Sequence, residues 1–222
     1  VGSGRSSRDY GIAIIAAVAI ALVIRFYALE AYRIPTGSMR PALEAGDTIF
    51  VAKWPLAFDR KPKRGDVVVY DSPTDTGRDF IKRVLGVAGD QVEVRKGNML
   101  LNGKPLALAG QRRTTSCLRE ALPAGASSAP QSTASYEVCV EPPIVDDFGP
   151  AKVPDGSVFV LGDLRTQSPG DTRKRRSWGI IPLTSLKGRA RWIWLSVEPT
   201  PAGESALHLP NFRFERMLRR IE

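Results

Sequence analysis

Residues Gly65–Tyr70 read GDVVVY, a Gly-Asp turn pair followed by three valines and a tyrosine. A short β-branched and aromatic run opened by turn residues predicts a strand that begins at a tight turn. The same device recurs on both sides. Gly46-Asp47 precedes Thr48 to Ala52, Gly89-Asp90 precedes Gln91 to Val94, and Asp155-Gly156 precedes Ser157 to Leu161. Asn102-Gly103 has hairpin-turn chemistry and follows Met99 to Leu101. Arg189 to Val197 (RARWIWLSV) reads as a late strand. No long amphipathic helix and no solenoid repeat interrupts this series. The expected fold is mainly β, an antiparallel-sheet or barrel-like domain. Residues 105–150 fit the strand pattern least and are expected to form a flexible insert.

Toward the N-terminus the pattern changes. Gly11 to Ile24 (GIAIIAAVAIALVI) carries no charge, and Arg25 follows. The uncharged run alone is shorter than the roughly 20 residues of a membrane span. Continuing to Leu29, with Arg25 snorkelling toward the interface, predicts one transmembrane helix over residues 10–29. No small-residue cleavage site follows, so an uncleaved anchor is favoured over a signal peptide. Arg5 and Arg8 precede the run, placing residues 1–9 in the cytoplasm by the positive-inside rule, although Arg25 and Arg33 weaken that vote. Residues 30–222 then form an extracytoplasmic domain.

Composition narrows the chemistry. The chain has 222 residues and a formal net charge of +9. Excess positive charge suits nucleic acid or an anionic membrane. The apolar run decides for the lipid bilayer, and nucleic acid is not expected as a partner. His208 is the single histidine, and there are two cysteines. A multi-histidine metal site is excluded, no metal or cofactor is expected, and a hydrolase here needs Lys, Asp or Glu as its base. Cys117 and Cys139 are expected to close a loop in an oxidising compartment, two free thiols being the alternative. Such a crosslink contributes on the order of 3 kcal/mol in the chain-entropy model. The intervening Ala121 to Ser135 is rich in Ala, Ser, Pro and Gly and reads as a loop.

Ile34 to Leu43 reads IPTGSMRPAL. Pro35, Gly37 and Pro41 keep Ser38 out of regular helix and out of a central strand. A serine on such a turn can offer both its hydroxyl and its own N–H to a carbonyl. The segment begins about ten residues past the apolar run, near the outer membrane face. A serine hydroxyl needs a neighbouring base. Asp79 to Leu85 reads DFIKRVL. On a strand, Phe80, Lys82 and Val84 share one face and Ile81, Arg83 and Leu85 the other. Periodicity leaves open which face is buried. Chemistry separates the two cations, because Arg keeps its proton whereas a desolvated Lys can lose it. Burial can bring a lysine from about 10.4 toward 7 or 8. Lys82 is therefore the candidate base.

Together these segments resemble bacterial type I signal peptidase. That family carries, after an anchor, a P-S/T-G-S-M-x-P-T-L box, and this chain has PTGSMRPAL. Its next box is matched by GDTIFVAK at Gly46 to Lys53. RGDVVVY at Arg64 to Tyr70 leads to FIKRVLGVAGD at Phe80 to Asp90. The last box is matched by GDLRTQSPGDTRKRRSWG at Gly162 to Gly179. The resemblance implies Ser38 as nucleophile, Lys82 as general base, and Thr36 with the Ser38 N–H as the oxyanion hole. It implies that Ser168 orients the lysine, that Asp171 and Arg173 support the site, and that Asp163 and Arg165 are structural. Leu164 replaces the usual Asn, one extra residue separates Ser168 from Asp171, and Lys174 to Arg176 are additional. Ala42 stands where the family has Thr.

The implied activity is a single-pass, cytoplasmic-membrane serine endopeptidase. It would cut signal peptides from exported preproteins after small residues of A-x-A type, through an acyl-enzyme. A monomer is expected. Met39 is a candidate pocket wall or a core residue. Trp54 to Phe58 (WPLAF) is equally suited to the lipid interface and to the core. Two rivals remain, a self-cleaving Ser–Lys repressor-type protease and a non-enzymatic membrane-anchored β binding domain.

Overall fold

The computed structural model describes residues 7–27, 29–53, 61–71, 77–112, 117–123, 135–142, 144, 146–166, 178–199 and 210–221, with side chains except at 7–8, 20–27 and 107–112. Ser168, Asp171, Arg173, the Trp54–Phe58 stretch, His208 and the Lys174 to Arg176 addition lie outside the described residues. The chain runs from helix α1 (Ser7–Tyr27) into β1 (Leu29–Arg33), β2 (Asp47–Lys53), β3 (Val67–Asp71) and β4 (Asp79–Val87). Then come β5 (Gln91–Arg95), β6 (Asn98–Leu101), β7 (Lys104–Pro105), β8 (Ala107–Arg112), β9 (Cys117–Ala121) and β10 (Ser135–Val140). The series ends with β11 (Phe148–Lys152), β12 (Ser157–Leu161), β13 (Leu164–Arg165), β14 (Gly179–Pro182), β15 (Leu186–Ser196) and β16 (Arg219–Arg220).

The expected barrel-like character resolves into three sheets. The large one has the order β1-β2-β15-β3-β4-β12-β14, with β16 also on β15. Two four-stranded sheets follow the orders β13-β10-β9-β8 and β11-β5-β6-β7. Among the described residues every strand pairing is antiparallel except that of β10 with β13.

The three Gly-Asp pairs start strands by one local mechanism. Each aspartate accepts a hydrogen bond from the backbone N–H three residues earlier: Asp47 from Glu44 at 2.8 Å, Asp66 from Lys63 at 2.9 Å and Asp90 from Val87 at 2.8 Å. Each also donates its own N–H back to that residue's carbonyl, at 3.0–3.1 Å. This closes a turn whose carboxylate is then claimed by arginine. Arg213 and Arg216 reach Asp47, Arg189 reaches Asp66, and Arg64 reaches Asp90. Glycine is required at Gly46, where φ is +91° and a Cβ would fall 1.9 Å from the Val197 carbonyl oxygen.

Alternation along the strands buries three apolar clusters. Leu85, Val92, Val94, Met99, Phe159 and Trp178 belong to the first, which lies between the large sheet and the β5–β6 hairpin. Ile34, Met39, Leu43, Ile49, Val51 and Ile193 belong to the second, beneath the Ser38 segment. Val68, Tyr70, Val84, Val158 and Val160 belong to the third. Met39 is fully buried there and packs as a core residue.

One expectation is corrected. The described residues of the expected insert at 105–150 include strands: β8, β9, β10 and the start of β11 lie within it. Leu106, Leu122, Tyr136 and Val138 from this region enter the first core cluster. The Ala- and Ser-rich composition of its centre (residues 124–134, outside the described residues) obscured the strands on either side. Cys117 and Cys139 face each other directly in the β9–β10 register and form a disulfide. Among the described residues no helix is long and apolar enough to cross a membrane. On α1, Tyr10, Ile12, Ile14, Ile15 and Val18 are nonetheless exposed.

Candidate active site

Strand β4 answers the question that periodicity left open. It pairs with β3 on one side and with β12 on the other. From Lys82 to Gly86 both of its faces are buried. Val84 enters one apolar cluster and Leu85 another. Both cations are therefore inside: Lys82 is 4 % exposed and Arg83 1 %. Desolvation of this kind disfavours a charge that lacks compensation.

The Ser38 segment is fixed at both ends. Ile34 N–H donates to Asp47 O at 2.7 Å, and Gly46 N–H donates to Ile34 O at 2.9 Å. Met39 and Leu43 anchor its interior in the core. Arg216 Nη2 donates to Ala42 O at 3.3 Å and Asp47 Oδ2 at 2.7 Å, while Arg213 Nη2 reaches Ala45 O at 2.8 Å. Burial pushes the Asp47 carboxyl up, but hydrogen bonds from Arg216, the Glu44 N–H and Ser196 outweigh it, leaving Asp47 below the usual carboxylate range. Anchored this way, the segment brings Ser38 Oγ to 2.9 Å from Lys82 Nζ. A half-buried hydroxyl and a buried amine at that distance can exchange a proton. Thr36 is exposed two residues earlier.

The third wall is the backbone after β12. Leu161 pairs with Arg83, so Gly162 falls beside Lys82. A Cβ on Gly162 would lie 2.5 Å from Ser38 O and 3.6 Å from Lys82 Nζ. Leu164 N–H donates to Ser38 O at 3.2 Å. Only a glycine lets this backbone approach both Ser38 and Lys82 so closely.

Two buried arginines hold that wall. Arg83 donates Nε and Nη2 to the two oxygens of Asp163, at 2.8 and 2.7 Å, and Nη1 to Gly65 O at 2.9 Å. Its guanidinium carbon stands 4.5 Å above the Tyr136 ring. Arg165 donates Nε to Gly162 O at 2.7 Å, Nη1 to Gly97 O at 3.1 Å and Nη2 to Glu120 Oε2 at 2.9 Å. Tyr136 OH donates to the same Glu120 oxygen. Burial alone would favour neutral guanidines. The carboxylates of Asp163 and Glu120 outweigh it and hold Arg83 and Arg165 above their ordinary range. Burial, then Glu120, pushes the Tyr136 hydroxyl well up, so it remains a donor.

The structure thus brings together Ser38, Lys82, Asp163 and Arg165 from the residues expected from sequence. Glu120 and Tyr136 were not foreseen. Their role depends on pairing across 45 and more residues, and no local spacing signals it. Among the described residues no cluster of three His, Cys, Asp or Glu side chains suits a metal ion.

Comparison with known proteins places this geometry in a family. The family described as signal peptidase, peptidase S26, matches residues 7–195. A probable signal peptidase I-2 of Synechocystis sp. is 32 % identical over 188 residues, covering 82 % of this chain and 70 % of that one. A signal peptidase I of Pseudomonas fluorescens is 32 % identical over 229 residues, covering 92 % and 76 %. One from Bacillus amyloliquefaciens is 31 % identical over 186 residues, covering 84 % of each. The match spans the Ser38 segment, β4 and β13 together, and this chain belongs to the signal peptidase family of serine endopeptidases.

Proposed function

We propose that the chain cleaves signal peptides from exported preproteins, with Ser38 as nucleophile and Lys82 as general base. The observation that carries this reading is the 2.9 Å separation of Ser38 Oγ and Lys82 Nζ. A general base must give up its own proton first, which lysine can do and arginine cannot, and Lys82 is buried beside the hydroxyl it would deprotonate. Neutral Lys82 takes the hydroxyl proton as Ser38 Oγ attacks the scissile carbonyl. The resulting oxyanion is held by Ser38 N–H and Thr36, donors of a kind worth roughly 3–4 kcal/mol in a transition state. Collapse expels the new amine terminus, which takes its proton from the Lys82 ammonium and leaves an ester on Ser38. Water, deprotonated by Lys82, then hydrolyses the ester. Ser168 orients the lysine in this reading, and Asp171 and Arg173 support it.

The preprotein binds extended and cleaves after small residues of A-x-A type. Strand β4 offers a place for it: from Asp79 to Lys82 it pairs with β3, and its pairing with β12 begins at Arg83. An added strand there would run past Lys82. Residues 10–29 anchor the enzyme in the bacterial cytoplasmic membrane with the catalytic domain outside. Support comes from the uncharged Gly11 to Ile24 run and the apolar side chains that α1 leaves exposed. The test is cleavage of a purified preprotein by the wild-type chain and by Ser38→Ala and Lys82→Ala. Cleavage is expected to vanish in both, and unchanged cleavage in either removes the dyad. Membrane attachment is tested separately by fractionation after deleting residues 10–29; continued recovery with membranes removes the anchor.

A further inference from the structure

We infer that Glu120, on the disulfide-closed β9–β10 hairpin, is a positioning residue for the Ser38–Lys82 pair, acting through Arg165 on the Gly162–Leu164 backbone. This rests on the dyad reading above.

The contacts form a short series. Gly162 and Leu164 are the backbone against which the dyad is built, the first beside Lys82 Nζ and the second bonded to Ser38 O. The Gly162 carbonyl is held at 2.7 Å by Arg165 Nε. The Arg165 guanidinium is in turn oriented by Glu120 Oε2 at 2.9 Å. Both side chains are sealed from solvent, Arg165 at 0 % and Glu120 at 1 % exposure. Glu120 Oε2 also receives Tyr136 OH, whose ring lies under Arg83. One carboxylate therefore ties the guanidinium that grips Gly162 to the ring beneath the Lys82 neighbour. Glu120 Oε1 has no hydrogen-bond partner among the described residues. Among the described residues the hydrogen bonds of this carboxylate run through the oxygen that faces Arg165 and Tyr136.

The hairpin is itself fastened to the same wall. Cys139 N–H donates to Asp163 O at 2.9 Å, and β10 pairs in parallel with β13 through Cys139–Leu164 and Val140–Arg165. The disulfide joins Cys139 to Cys117, three residues before Glu120. Without Glu120, a fully buried Arg165 has lost its counter-ion and must rearrange to find solvent or another anion. Gly162 O then loses its donor, and a small displacement there is transmitted to Ser38 and Lys82. Misplacement on the scale of 1 Å can slow catalysis about a hundredfold.

The experiment uses the full chain in detergent and a purified preprotein. Glu120→Gln keeps the side-chain shape, and its amide oxygen can still accept from Arg165 and Tyr136. It removes the charge and sets an NH2 group where Oε1 stands. A fall in kcat of about tenfold is expected, with KM within about twofold and the native circular dichroism retained. The double variant Glu120→Leu/Arg165→Met removes both charges and so leaves no unpaired ion. It is expected to recover resistance to urea while kcat stays low, because Gly162 O still lacks its donor. Wild-type kcat in Glu120→Gln overturns the inference. Recovery of both stability and kcat in the double variant also overturns it, since Glu120 then serves only to neutralise Arg165. If Glu120→Gln fails to fold, the double variant alone decides. Ser38→Ala and Lys82→Ala run alongside. If both are inactive while Glu120→Gln matches wild type, only the Glu120 assignment falls; if either remains active, the dyad reading falls and this one with it.

Discussion

Arg83 meets Asp163 edge-on, with Nε–Oδ1 and Nη2–Oδ2 at 2.8 and 2.7 Å, both side chains 1 % exposed. Arg83 adjoins Lys82 in sequence, and Asp163 adjoins Gly162, so the pair locks together the two backbones that flank the amine. Breaking one side of such a buried pair costs about 3–5 kcal/mol. Asp163→Asn is expected to lose stability on that scale, read as a lower urea midpoint. Arg83→Met/Asp163→Leu is expected to be closer to wild type than either single change.

Gly162→Ala tests the closeness of the wall. Its methyl would sit 2.5 Å from Ser38 O, a distance that backbone atoms cannot yield without moving. The expected result is a loss of kcat on the order of a hundredfold, with a cooperative unfolding transition preserved. Wild-type kcat would show that activity tolerates displacement of this backbone.

Lys82→Arg separates charge from basicity. Arginine retains a cation but does not give up its proton near neutrality. Preprotein cleavage is expected to be absent from pH 6 to pH 10.

Removing the disulfide should weaken the hairpin that carries Glu120. Its cysteines are 22 residues apart, for which the chain-entropy model gives about 3 kcal/mol. Cys117→Ser/Cys139→Ser is expected to unfold at lower urea and to lose kcat before it loses global structure. Equal urea midpoints would place the hairpin's stability elsewhere.

Acid stability follows from the turn aspartates. Asp47 and Asp90 are held below the carboxylate range: burial raises them, and hydrogen bonds led by Arg216 and Arg64 respectively outweigh it. A depressed folded value stabilises the native state above the unfolded value of about 3.9. That contribution is lost as pH falls through the folded value. Asp66 has the opposite sign, because burial outweighs Lys63 N–H and Arg189 and raises it. Urea midpoints of Asp47→Asn should lie below wild type at pH 7, and the two curves should converge as pH falls below about 4.

Strand positions were readable because each Gly-Asp pair encodes a complete local turn. The aspartate supplies the acceptor and the glycine the conformation, so the start of β2, β3 and β5 needs no tertiary context. Ser38 and Lys82 were readable from residue chemistry together with a resemblance carried by several ordered segments. The burial of β4 was not, because both faces are covered by partners from distant sequence. Glu120 and Tyr136 were hidden for a related reason. Their neighbours in sequence are Ala- and Ser-rich, while their partners come from distant sequence, Arg165 from β13 of the same sheet and Arg83 from β4 of the large sheet.

The clasp of Arg213 and Arg216 on Asp47 has a consequence for synthesis. It spans 169 residues between Asp47 and Arg216. A ribosome must deliver the chain through Arg216 before the segment bearing Ser38 can acquire its final restraint. Until then Ala42 and Ala45 lack the donors that fix their carbonyls in the finished protein. The nascent polypeptide thus carries Ser38 for most of its production without the restraint that fixes its segment.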